Sequence, residues 1–184
     1  MASAFAHAAI GAALWPLFQR PGAPRYTWAL GATLAVLPDA DVLAFPLGIA
    51  YGSPLGHRGL SHSLFIAAVV GIAIGWMVAR RSRMVGGRLA LTSYLCLALA
   101  SHGVLDAMTT GGLGVAFLAP FDNTRHFFPW RPIAVSPIGI RPFFTERGLA
   151  VLANELLWVG LPALAIAWLG RHAHRRSVNR APLG

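Results

Sequence analysis

Apolar residues run along this chain in five long stretches, at about 3–19, 27–46, 61–79, 88–108 and 148–170, separated by segments that carry arginine, proline and glycine. Each approaches the ~20 residues needed to cross ~30 Å of hydrocarbon. The pattern predicts an all-α, polytopic membrane protein: a bundle of about five transmembrane helices. The first stretch is short, and "PDAD" (38–41) interrupts the second. Between the fourth and fifth lies a Pro- and Arg-rich stretch, 119–147, whose prolines forbid a regular helix through most of it. The helical domain is expected to cover 1–170, with 171–184 as a basic cytoplasmic tail. The N-terminal "MASAFAHAAIGAALWPLF" lacks the positive region of a secretory signal and reads as a retained helix.

The few polar positions within these stretches are not scattered. At ~1.5 Å per residue, counting from the arginine-flanked ends, His7 stands ~20 Å along helix 1 and Asp39 ~18 Å along helix 2. On the same scale His62 stands ~27 Å along helix 3, His102 and Asp106 ~21 and ~27 Å along helix 4, and Glu155 ~24 Å along helix 5. All five helices thus bring an ionisable group to one layer. Such groups are costly inside a membrane unless they pair, face water or bind an ion. His102 and Asp106 are four residues apart and share a helix face. Pro38 is expected to break helix 2, so that Asp39 and Asp41 point toward a common centre from irregular backbone. His57 and His62 flank Gly59, which lets the chain turn before helix 3.

Composition sharpens this reading. Apolar residues make up 56% of the 184 and charged residues 11%, against roughly a quarter charged in a soluble domain. All fifteen basic residues are arginine, and they cluster at "RRSRMVGGR" (80–88) and "RHAHRRSVNR" (171–180). The positive-inside rule places both on the cytoplasmic side, which puts the N-terminus outside and the C-terminus inside. Arg125, Arg131, Arg141 and Arg147 then fall in an external loop and need a role there; Arg125, His126 and Arg131 could bind an anionic headgroup or phosphate, or be solvated loop charge. No basic-aromatic stripe marks a nucleic-acid face. A single cysteine, Cys96, allows neither an internal disulfide nor a thiolate metal cage.

Of six acidic residues and seven histidines, most fall in a few short clusters. Imidazole with carboxylate is a ligand set for zinc, manganese or iron. Two adjacent aspartates in low dielectric also call for a cation. For His62, His102 and Asp106 the alternative is a hydrogen-bonded network tying helices 3 and 4 together. His57 is either a ligand or a group that orients one, and His7 is a ligand, an orienting group or a helix-packing histidine. Arg58, Ser61 and Ser63 could orient a substrate, or serve as interfacial anchor and helix caps. Thr109 and Thr110 are expected to finish helix 4. His172 and His174 are expected to sit in a solvated cytoplasmic end.

"FAHAAIG", "LPDADV", "GHRGLSHSL", "ASHGVLDAMTTGG" and "APF" together resemble, in order, the motifs of the YdjM-like family, over roughly residues 5–121. These are bacterial and archaeal inner-membrane proteins usually described, by inference, as metal-dependent hydrolases. The resemblance implies a multi-helix membrane protein with a metal site, and points to His7, Asp39, Asp41, His57, Arg58, His62, His102 and Asp106. Its metal would be zinc first, with manganese or iron as alternatives, as one or two ions. Asp41, Arg58 and Glu155 are the catalytic candidates, and Glu146 competes with Glu155 for the last acidic position. The function expected is metal-assisted hydrolysis of an amphiphilic, lipid-like ester or phosphoester in the outer half of the bilayer. The competing readings are a divalent-cation or proton transporter and a membrane protein with a structural metal. The metal-independent phosphatidate phosphatases are excluded, because their first motif needs a lysine and this chain has none.

Overall fold

The computed structural model describes residues 1–82 and 87–179. Arg83 and Arg180, counted above among the flanking arginines, lie outside these. Helix α1 spans Ala4–Phe18 and α2 Thr27–Val36; α2 runs on as a 3₁₀ segment, Leu37–Leu47. Helix α3 covers Leu64–Arg81 and α4 Arg88–Ala107. After a long connection come the short α5 (Ile140–Phe143) and then α6 (Glu146–Glu155), a π-helical turn (Leu156–Gly160) and α7 (Leu161–Asn179) in succession. The fold is all-helical, with two isolated β-bridges among the described residues and no strand.

Among the described residues four stretches are long and apolar enough to cross a membrane: Thr27–Leu47, Leu64–Arg81, Arg88–Ala107 and Glu146–Arg176. Helix α1 is apolar but shorter. At ~1.5 Å per residue its fifteen residues reach ~22 Å, less than the hydrocarbon thickness. Leu43, Ile72, Leu89 and Leu164 point outward with more than half their surface exposed, as lipid-facing side chains do. Trp28, Trp76 and Trp168 are also exposed, each within four residues of an arginine. That pairing is the mark of a membrane interface, and Arg80 lies 4.2 Å over the Trp76 ring.

Two departures from the sequence reading concern the helices themselves. Pro38 does not break α2; it opens the 3₁₀ segment, where a residue lacking an N–H is tolerated in the first turn. The basic end is no separate tail through Asn179, because α7 continues that far. There His172 stacks on Trp168, one turn earlier.

Helix α4 is the hub. It packs against α1, α2 and α3, and half of its span is buried. Small residues set the closest approaches, as is usual where apolar packing alone cannot drive association in lipid. A Cβ on Gly71 would stand 2.7 Å from Cys96 Cα, and one on Gly75 2.7 Å from Thr92 Oγ1, so these two α3 glycines seat the helix against α4. Gly11 and Gly31 do the same for α1 and α2. Tyr94, fully buried on α4, donates its hydroxyl hydrogen bond to the Gly11 carbonyl at 2.8 Å. Around it Trp15, Leu34, Leu91, Leu95 and Leu99 form a dry core at one end of the bundle. The other end is built differently.

Candidate metal centre

At that other end four elements aim polar side chains inward. Helix α1 supplies His7, the 3₁₀ segment Asp39 and Asp41, the loop before α3 His57, Arg58 and His62, and α4 His102 and Asp106. His7, His57, Arg58, His102 and Asp106 are fully buried, and His62 and Asp39 nearly so. Ligand atoms of Asp39, His62, His102 and Asp106 all lie within 4.8 Å of one another. His62 Nε2 stands 2.9 Å from His102 Nε2, 3.5 Å from Asp106 Oδ2 and 3.7 Å from Asp39 Oδ1. His102 Nε2 is 3.3 Å from Asp39 Oδ1. His7 joins from the side, with Nε2 3.4 Å from Asp106 Oδ1 and its ring stacked on His102 at 3.7 Å.

The hydrogen bonds decide the tautomers. His102 Nδ1 lies 2.7 Å from the Ala35 carbonyl, which can only accept, so Nδ1 carries the proton and Nε2 presents a lone pair to the cluster. Ser61 donates its one hydroxyl proton to Asp41 Oδ2 at 2.6 Å. His62 Nδ1, 2.9 Å from Ser61 Oγ and 3.2 Å from Asp41 Oδ2, must therefore donate, which leaves Nε2 as its inward-facing atom. Without metal a proton on His62 Nε2 bridges to the His102 Nε2 lone pair across 2.9 Å, and a cation that replaced this proton would meet both nitrogens.

Three further observations fit a metal ion. Ligands on a tetrahedral ion with bonds of about 2.0–2.2 Å stand roughly 3.4 Å apart, close to the spacings here. Buried polar atoms aimed at the cluster lack hydrogen-bond partners: both oxygens of Asp39, Oδ2 of Asp106 and Nε2 of His7. Charge also fails to balance. Asp39, Asp41 and Asp106 face one guanidinium, Arg58, and the His62 imidazolium, so the buried carboxylates still outnumber the cations in contact with them. Although burial opposes protonation of His62, the carboxylates of Asp106, Asp39 and Asp41 prevail and raise its imidazole to about 10. The centre demands positive charge.

The two aspartates of "PDAD" part company. A 3₁₀ helix turns by about 120° per residue, so side chains two apart diverge. Asp39 enters the cluster. Asp41 sits behind His62, where His57 Nδ1 (2.7 Å), the Arg58 N–H (3.3 Å) and Ser61 occupy its oxygens. This is a carboxylate–histidine arrangement that orients a ligand and raises its basicity. Asp41, His57 and His62 nonetheless form a second group with metal-compatible spacing.

Arg58 is no interfacial anchor. It is fully buried at a φ of 65°, and its Nε lies 2.9 Å from Asp106 Oδ2 without hydrogen-bond alignment. Its other nitrogens donate to the Gly111 carbonyl (2.8 Å) and to Thr109 Oγ1 (2.9 Å). Gly112 leaves room for it, since a Cβ there would stand 2.5 Å from Arg58 Nη1. Glu155 is not drawn into the cluster; both its oxygens accept from Ser3, at the N-terminus of α1, and Glu146 is exposed. Ser63 caps α3 by accepting from the Ile66 N–H.

Several contributors carry little signal in the sequence. Thr109 holds Arg58, and the Ala2 N–H donates to Asp106 Oδ1 at 2.8 Å. Arg125 is half-buried rather than solvated, and it clamps the loop before α3 by donating to the carbonyls of His57, Tyr51 and Ser53. Burial lowers its pKa and raises that of Tyr51. Arg131 lies 4.7 Å over the Phe127 ring, while His126 is exposed and pairs through its backbone with Val115.

Comparison with known proteins agrees with this architecture. The inner membrane protein YbcI of Escherichia coli (strain K12) is 43% identical over 143 residues, 78% of this chain and 81% of that protein. No solved structure matches the chain. Residues 1–177 match the family described as "YdjM inner membrane protein". A multi-pass helical chain with its polar residues gathered in one buried His/Asp centre, it belongs to the YdjM inner membrane protein family.

Proposed function

We propose that this protein is a membrane-embedded, metal-dependent hydrolase of an amphiphilic, lipid-like ester or phosphoester. The observation that carries the reading is the convergence of the His62 and His102 Nε2 atoms, 2.9 Å apart and bracketed by Asp39 and Asp106. His62, His102, Asp39 and Asp106 would hold the ion, with His7 beside them, and zinc suits two imidazoles and two carboxylates best. A bound divalent ion supplies Lewis acidity and an easily deprotonated water. The remaining work belongs to the chain. The Ala35 carbonyl and Asp41 keep the Nε2 atoms of His102 and His62 facing inward. Arg58 steadies Asp106, while the loops carrying Thr109, Val115 and Ile133, all fully buried, keep water away. An oxygen of Asp39 left off the ion would be placed to take a proton, since no hydrogen bond occupies it.

A transport reading needs a polar path beyond the centre. The neighbouring core of Trp15, Leu34, Leu91, Leu95 and Leu99 offers none among the described residues. The test is elemental analysis of detergent-purified protein beside a His102→Ala, Asp106→Ala double variant, followed by a lipid-ester and phosphoester screen. One equivalent of zinc, manganese or iron in the wild type, lost in a folded variant, with turnover that follows metal content, is the expected result. Metal without turnover would leave a structural ion, and no metal after supplementation would sink the hydrolase reading.

A further inference from the structure

Apart from half-buried Asp41, the centre meets an open surface at Asp39, the most exposed of the cluster's five groups at 7%. From above it is closed: His57, Arg58, Thr109 and Val115 are fully buried under the two connecting loops. To the side a groove of about 560 Å³ runs between α1 and the α2–3₁₀ element, lined by Ala8, Ala32, Thr33, Val36 and Ala40 and reaching Asp39. Asp39 is over nine-tenths buried; the groove reaches the outer side of the residue, while its two carboxylate oxygens are enclosed in the cluster without a hydrogen-bond partner. The groove lies within the Thr27–Leu47 span, beside the outward-facing Leu37 and Leu43. What surrounds that face is the hydrocarbon of the bilayer.

We infer that this groove holds one acyl chain of a membrane lipid, with the lipid's polar end at Asp39. Its walls are alanine, threonine, valine and Leu37, which leave an open apolar groove in which an acyl chain can lie. Apart from Asp39, the lining carries no charge to recognise a soluble ligand. The lining extends from Asp39 back toward Thr27, so the tail lies along α2 while the head meets the cluster. The lipid thus enters sideways, without passing the arginine-clamped loops. This deepens the hydrolase reading and rests on it only in placing a metal beside the lipid's head.

The experiment uses full-length protein in nanodiscs with phosphatidylethanolamine carrying a diazirine midway along one palmitoyl chain. After illumination, labelled peptides are mapped by mass spectrometry in wild type, Ala32→Trp and Ala40→Trp; Ala40 is exposed, so its variant does not strain the core. Labelling around Ala8, Ala32 and Thr33 is expected to exceed that at Val69 and Ile72, exposed on α3, several-fold. Both tryptophan variants should lower groove labelling at least fivefold, leaving α3 labelling and metal content unchanged. Groove labelling no higher than at α3, or unaffected by either tryptophan, overturns the inference. So does a Thr33→Cys disulfide between two copies that excludes the lipid probe. Groove labelling without bound metal, or without turnover, would instead fail the hydrolase reading and leave the lipid site standing.

Discussion

Arg58 sets the electrostatic tone of the centre, because among the described residues it is the permanent positive charge in direct contact with the cluster. Truncating it would strand Asp106 in a buried place, and removing one partner of a buried ion pair costs about 3–5 kcal/mol. Arg58→Ala should therefore lower thermal stability in detergent sharply. Arg58→Lys should recover only part, since one ammonium cannot reach Asp106, Thr109 and Gly111 from a single planar fork. Melting curves of the two variants check this, and equal stability of Arg58→Ala and wild type would refute it. His62 adds a pH dependence. Its imidazole stands near about 10 without metal, so a metal must displace a proton to bind. Apparent zinc affinity is then expected to rise with pH between about pH 6 and about pH 8, as ligand deprotonation requires. Competition with a chromogenic chelator measures it, and a flat profile would contradict the assignment of His62 as ligand.

At the scale of elements, helix contacts made by glycine position the centre. A Cβ on Gly31 would stand 1.9 Å from Tyr94 Oη, so Gly31→Ala must push Tyr94 away and break its bond to Gly11. Overpacking of this kind costs about 1–3 kcal/mol. Tyr94→Phe, which loses only the hydroxyl, should cost about 0.5–1.5 kcal/mol. Denaturation of both variants, read by tryptophan fluorescence, gives the ranking, and a Tyr94→Phe more harmful than Gly31→Ala would contradict this packing. The 3₁₀ segment matters for a different reason. Its tighter winding, begun at Pro38, sends Asp39 and Asp41 to different neighbours. The π-helical turn after Glu155 has a local cause as well: Pro162 has no N–H to donate to the carbonyl four residues before it.

For the whole molecule, the centre ties helices from distant parts of the chain at one end, while the Tyr94 core ties them at the other. Metal should therefore act as a clamp: removing it with a chelator leaves carboxylates from different elements in excess over the cations beside them. Free zinc at a hundredfold over its Kd would restore about 2.7 kcal/mol, seen as a melting temperature that climbs with added zinc. No shift would mean that the centre holds protons instead. Helix positions were legible in the sequence because lipid imposes a length and an apolarity that each segment meets by itself. So was the common layer of His7, Asp39, His62, His102 and Asp106, since helical rise converts residue number into height. The direction of each side chain was not legible. Asp39 and Asp41 look alike in "PDAD", Glu155 shares their height but turns to Ser3, and Arg58 reads as an anchor until the loop over it is folded. Height follows from local geometry alone, whereas direction depends on rotation about each helix axis and on loops far away in sequence. Those are settled when Gly11, Gly31 and Gly71 let the helices meet and Arg125 pins the loop before α3, so the layer came from the sequence and the centre from the tertiary fold.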